Sequence, residues 1–185
     1  YLRVKENGRV DCYTGKIEMG QGIVTSLAQV LADELEVSLY DVDMVMGDTE
    51  LCPYDAGTWG SLTTRFADPV IRAAAAEARE ILIGLAADHF GIDKDRLEVI
   101  EGSVFVKDEP SKKVTYAELT KGKKIIQSLK NKPEIKKAKD FKIIGKPVIS
   151  LDAESKVTGK AKYAGDIKLP DMVYASVVRP AVFGS

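Results

Sequence analysis

Gly20, Gln21 and Gly22 close a run of small and polar residues, Gly15-Lys16-Ile17-Glu18-Met19-Gly20-Gln21-Gly22, that ends where an apolar periodicity begins. Ile23, Leu27, Leu31 and Leu35 follow at four-residue spacing, which predicts a helix entered through Gly-Gln-Gly. A helix start offers backbone N–H groups without intrahelical partners and the positive end of the helix dipole, and glycine lets a ligand approach the backbone closely. The chemistry that suits such a junction is the binding of an anion, a phosphate above all. A tight turn that needs glycine would be written in the same letters. The familiar phosphate loops do not account for the run: Lys16 is not followed by Ser or Thr, and no Gly-x-Gly-x-x-Gly frames Gly20 and Gly22. A second candidate is Gly57-Thr58-Trp59-Gly60-Ser61-Leu62-Thr63-Thr64, where Ser61 and Thr63 either cap a helix or hand hydroxyls and amides to the same kind of ligand.

The elements that must position these residues follow from pattern. Residues 2–13 alternate like two strands turned at Asn7-Gly8, and residues 42–46 read as a short apolar strand after the first helix. Residues 50–61 form a long loop carrying Pro53, Gly57, Gly60 and the sole tryptophan, Trp59; loops of this length are often functional. A second helix is predicted with Asp68 as cap and Pro69 in its first turn, and Gly91 ends it. Ile71, Ala74, Ala75, Ala78, Leu82 and Leu85 make its buried stripe, while Arg72, Glu77, Arg79 and Glu80 make its solvated face. Two strands, 97–100 and 103–107, turn at Glu101-Gly102, and Thr115 caps a small helix. The order predicts an α+β domain over 1–120, a two-layer mixed sheet with two main helices. Residues 121–146 shift to ten lysines and read as a solvated linker. Residues 147–185 read as the strand-rich start of a second domain, with strands at 152–163 and 172–178.

Several function classes lack support. A net charge of −1 gives no general attraction to nucleic acid or an acidic membrane surface. The lysine tract is the one place where a polyanion would bind, but arginine and aromatic interleaving are missing from it. No apolar run nears the roughly 20 residues of a membrane helix. Two cysteines, Cys12 and Cys52, cannot by themselves make a zinc or iron–sulfur site, which takes about four ligands. The only histidine, His89, falls in the last turn of the second predicted helix, where a cation suits the dipole. An opening without Met and an apolar close at residues 177–183 predict a piece of a longer chain.

Gly15 to Gly22, then Val45-Met46-Gly47-Asp48-Thr49, then Gly60-Ser61-Leu62-Thr63 resemble the large subunit of molybdenum hydroxylases, the xanthine dehydrogenase and aldehyde oxidase family. Phe141-Lys142-Ile143-Ile144-Gly145-Lys146-Pro147, Lys156-Val157-Thr158-Gly159-Lys160-Ala161-Lys162-Tyr163 and Leu169-Pro170-Asp171-Met172 are similar to that family's entry into its hammerhead domain. Here those blocks follow the Gly-Gln-Gly segment, an order that resembles the isoquinoline 1-oxidoreductase type. The resemblance implies a molybdopterin cofactor, in bacterial members usually molybdopterin cytosine dinucleotide, with Gly20, Gln21, Gly22, Ser61 and Thr63 facing it. It implies hydroxylation of an N-heteroaromatic or aldehyde carbon by the intact subunit, with [2Fe-2S] clusters in a small partner subunit. The family's glutamate base lies in a Gly-x-Gly-Glu-like motif near the C-terminal end; no such motif occurs in these 185 residues, so they are expected to be inactive alone. The alternative reading is a non-catalytic module on the same scaffold. The compartment stays open between bacterial cytoplasm and periplasm.

Overall fold

A computed structural model describes residues 2–121, 125 and 129–183 of the chain. The chain divides into two units, Tyr1–Leu151 and Asp152–Ser185.

The first unit begins with strands β1 (Leu2–Val4) and β2 (Val10–Tyr13), paired antiparallel around Asn7-Gly8. Gly8 takes a positive φ of 85°, and the Asn7 side chain accepts from the Arg9 amide, so both residues of the Asn-Gly signal are used. Helix α1 (Ile23–Leu35) then crosses to β3 (Val42–Val45), which lies parallel to β2. A parallel neighbour requires such a crossover, and it places the start of α1 and the end of β3 at loops leading away from one sheet. Helix α2 (Thr63–Phe90) packs on α1. A second, antiparallel sheet follows from β4 (Leu97–Ile100), β5 (Ser103–Val106) and β6 (Glu109–Thr115). The α+β reading holds, with the strands shared between two three-stranded sheets. Thr115 closes a complete capping box with Glu118 on the short helix α3 (Tyr116–Thr120).

The core gathers Leu27, Leu31 and Leu35 of α1, Val10 and Cys12 of β2, and Ala75, Leu82 and Ala86 of α2. Tyr116 is buried there and donates its hydroxyl to the Leu35 carbonyl at 3.1 Å.

The first unit departs from local pattern in four places. Helix α2 starts at Thr63, so Asp68 is not its cap and Pro69 lies inside it. Pro69 and Arg65 are exposed, so water can reach the Arg65 carbonyl that Pro69 has no N–H to meet. On the same helix Ala74 is exposed and Ala76 is buried. The charged face is not simply solvated. Arg72 pairs with fully buried Glu34, Arg79 donates to the Glu34 carbonyl, and Glu77 accepts from the Leu129 amide at 2.8 Å. Residues 136–151, whose first part has the composition of a linker, lie along α1; residues 122–124 and 126–128 of the lysine-rich stretch fall outside the described residues.

The second unit holds helix α4 (Ala153–Val157) and a 3-10 turn at Ala164–Asp166. No strand forms among its described residues, against the two predicted from alternation. A strand needs a neighbour for its backbone groups, and Val173, Tyr174, Val177 and Val178 are left exposed.

Candidate functional site

The loop from β2 to α1 is closed by its own side chains. The Glu18 carboxylate accepts from the amides of Gly20 (2.8 Å), Gly22 (2.9 Å) and Val24 (2.9 Å). It therefore takes the place at the α1 entrance that an external anion would take. Gln21 folds back across the same loop, accepting from the Met19 amide and donating to the Ile17 carbonyl at 2.9 Å. Gly20 and Gly22 hold positive φ values of 98° and 81°, and a Cβ on either would meet nothing within 4 Å. Both glycines are required by conformation, and the space above them is open.

This loop is tied to the loop between β3 and α2. Lys16 Nζ donates to Asp55 at 2.8 Å and to the Gly57 carbonyl at 2.9 Å, and the Ile17 amide donates to the Thr58 hydroxyl at 2.9 Å. Gly15 permits the approach, because a Cβ there would stand 2.4 Å from Asp55 Cβ and 2.5 Å from the Pro53 carbonyl oxygen. Burial pushes the Asp55 carboxyl up, but its bonds from Lys16 and the Gly57 amide outweigh this and hold it below the usual carboxylate range.

The five residues singled out in the sequence thus lie on two loops that touch. The contact itself is made by Lys16, Ile17, Asp55, Gly57 and Thr58, while Gly20, Gln21 and Gly22 lie at the α1 end and Ser61 and Thr63 at the α2 end. Ser61 takes a positive φ of 56°, between Gly60 and a half-buried Leu62. Thr63 is buried as the first residue of α2. The residue before it, Leu62, has no side chain able to cap and makes no side-chain cap bond. Met19, Leu51, Tyr54, Trp59 and Phe66 are exposed on these loops and the first turn of α2.

Lys16 and Asp55 organise the loops without having stood out in the sequence; Glu18, which acts with them, reads in the sequence as a helix-entry carboxylate. Nothing in their spacing signals a bridge between loops, although a glutamate two residues before Gly20 is a capping signal of a kind. Cys12 and Cys52 are free thiols. Burial raises the Cys12 thiol to about 11, which leaves it unreactive, and Cys52 Sγ donates to the Val45 carbonyl. His89 sits in the last turn of α2, edge-on to Phe90. Among the described residues no cluster of His, Cys, Asp or Glu could hold a metal ion, and no helix is long and apolar enough to cross a membrane.

Two small-residue loops thus meet beside two helix starts, and comparison gives the family. The chain belongs to the molybdopterin cofactor-binding domain family, whose model matches residues 1–165, and so is related to the large subunits of molybdenum hydroxylases. It is 33% identical over its full length to one of the subunits of nicotinate dehydrogenase from Pseudomonas putida, and spans 15% of that relative. It is 26% identical, again over its full length, to the beta subunit of isoquinoline 1-oxidoreductase from Brevundimonas diminuta, of which it spans 28%. Among solved structures, CO dehydrogenase from Oligotropha carboxidovorans superposes with a TM-score of 0.57 at 31% identity, covering 64% of this chain and 15% of that one.

Proposed function

We propose that this chain forms one side of the cofactor site in a molybdenum hydroxylase large subunit, and that the cofactor is molybdopterin cytosine dinucleotide. The observation that carries the proposal is the junction of the two loops through Lys16, Asp55 and Thr58 in a chain of the molybdopterin cofactor-binding family. Gly20 and Gly22 supply open backbone, and Ser61 and Thr63 supply hydroxyls beside the uncapped start of α2. These donors suit phosphate oxygens and pterin edges. The fit is partial at α1, where Glu18 already fills the amides. A phosphate is therefore directed to the α2 side, and Gln21 must give up its bonds within the loop before its amide can turn outward. When bound, the cofactor supplies the redox chemistry at carbon; these residues bind and orient it.

In the intact enzyme the substrate would be an N-heteroaromatic, as the names of the nicotinate and isoquinoline relatives suggest, or an aldehyde. The remainder of the large subunit and a small subunit with [2Fe-2S] clusters would be its partners. The exposed Met19, Tyr54, Trp59 and Phe66 support a loop end that is covered in a larger assembly. The alternative, a non-catalytic module, draws on one observation: the α1 loop is self-satisfied without a ligand. Molybdenum and cytidine nucleotide analysis of the intact subunit separates the two. Both present together is the expected result; absence of both selects the module.

A further inference from the structure

One face of α1 carries Thr25, Gln29 and Asp33 at four-residue spacing, followed by Glu34, and every one of them is bonded to the segment 136–151, which includes a 3-10 turn at Ala138–Asp140. One oxygen of the Asp33 carboxylate accepts from three successive amides, Lys142 (3.0 Å), Ile143 (2.8 Å) and Ile144 (2.9 Å). Gln29 donates to the Ile143 and Lys146 carbonyls at 2.9 and 3.1 Å. Thr25 Oγ1 accepts from the Leu151 amide at 3.0 Å and meets the Ser150 hydroxyl at 3.1 Å. At the other end, Lys136 lies against Asp33 at 3.3 Å and Glu36 at 2.9 Å, its amide donates to Glu34, and Arg72 stacks on the Phe141 ring. Ile143, Ile144 and Leu151 add partly buried apolar contacts to the core.

Two features set this apart from ordinary surface packing. Asp33 and Glu34 have fully buried side chains, and a buried carboxylate without partners is strongly unfavourable, so the face is incomplete until a peptide covers it. Most of these bonds go to backbone, and what α1 recognises is a turn at residues 142–146 whose three consecutive N–H groups converge on one oxygen, the arrangement that forms an anion-holding nest. The segment runs antiparallel to α1, from Asp33 in its last turn to Thr25 in its first.

We propose that this face is a peptide-binding clasp, that residues 136–151 are its ligand within the same chain, and that the segment docks and releases as one cooperative strap. The strap ends at Thr25, three residues beyond Gly22, and so fixes the place where the chain leaves the first unit at the same helix end that carries Glu18 and its loop. This inference does not rest on the cofactor assignment. Asp33 is its anchor: burial pushes that carboxyl up, and the Ile144 and Ile143 amides with Lys136 more than reverse the shift.

Amide hydrogen exchange on the 185-residue chain is the test. Asp33→Ala is expected to raise exchange at Lys142, Ile143 and Ile144 by about tenfold or more, since each lost bond was to a charged acceptor. Because the strap moves as a unit, the Lys136 and Leu151 amides rise by the same factor, while amides of β2 stay protected. Thr25→Val, a milder change at the opposite end, gives a smaller rise with the same pattern, and serves if Asp33→Ala does not fold. Changes confined to the residues that touch the altered side chain would overturn the cooperative strap. So would a parallel rise in β2, which reports global unfolding, or no change at all.

Discussion

Gly15→Ala tests how the two loops are held. The added Cβ would stand 2.4 Å from Asp55 Cβ and 2.5 Å from the Pro53 carbonyl oxygen, whereas carbon atoms rest at about 3.5–4.0 Å, so the loops must part by about 1 Å. Overpacking of this kind costs about 1–3 kcal/mol. The same displacement stretches the Lys16–Asp55 and Ile17–Thr58 bonds, which brings the expected total to about 2–4 kcal/mol. The control is Gly20→Ala on the same loop. There the Cβ meets nothing within 4 Å and only the positive φ of 98° is unfavourable, a cost of about 1 kcal/mol. Urea unfolding followed by circular dichroism reads both. With a slope of about 2 kcal/mol/M, Gly15→Ala lowers the midpoint by about 1–2 M, and Gly20→Ala by about half a molar. A Gly15→Ala midpoint equal to or above that of Gly20→Ala would refute close approach of the loops.

Arg72→Met leaves Glu34 buried without its guanidinium, and costs about 3 kcal/mol, a drop of roughly 6–12 °C in thermal midpoint. Adding Glu34→Leu recovers part of the loss, because the stranded charge is then removed; no recovery would mean the pair was not what mattered. Stability falls in acid partly through Asp43, whose carboxyl the Arg9 guanidinium, helped by Lys5, holds at about 2 against an ordinary 3.8. A lowered carboxylate adds stability above its unfolded value and loses it as pH falls toward the folded one. Melting temperatures between about pH 4 and pH 2 should therefore fall less steeply in Arg9→Met than in the wild type, and an unchanged slope would contradict that assignment.

The parts of the fold legible in the sequence are those that local chemistry decides. Asn7-Gly8 fixed the hairpin, the four-residue spacing from Ile23 to Leu35 fixed α1, Gly91 ended α2, and Thr115 with Glu118 made a capping box. Pro69 misled because its preference for a first turn is only a preference, and an exposed helix interior tolerates it. The alternation in 152–163 misled because strand pattern has no meaning without a partner strand. The lysine tract hid the strap. Most of its lysines read as solvent-exposed, while the docking is done by one of them, Lys136, and by backbone amides of residues 142–144, which carry no letter of their own. The visible clue was on the other side, two acids inside the apolar periodicity of α1.

For the candidate site, glycine and hydroxyl spacing marked both loops correctly as neighbours of helix starts, and the likeness of motif blocks led to the family. What joins the loops was not legible, because Lys16 and Asp55 are far apart in sequence and either would look like a solvated charge. Glu18 was legible as a helix-entry carboxylate, but the number of amides it gathers depends on the positive φ values of Gly20 and Gly22.

The molybdenum content of the intact subunit, measured with single variants in each loop, tests the central claim most directly. Gly22→Val and Thr63→Val are each expected to lower molybdenum and cytidine nucleotide together, with the purified protein still folded by circular dichroism. Full cofactor occupancy in either variant would contradict a site built from both loops.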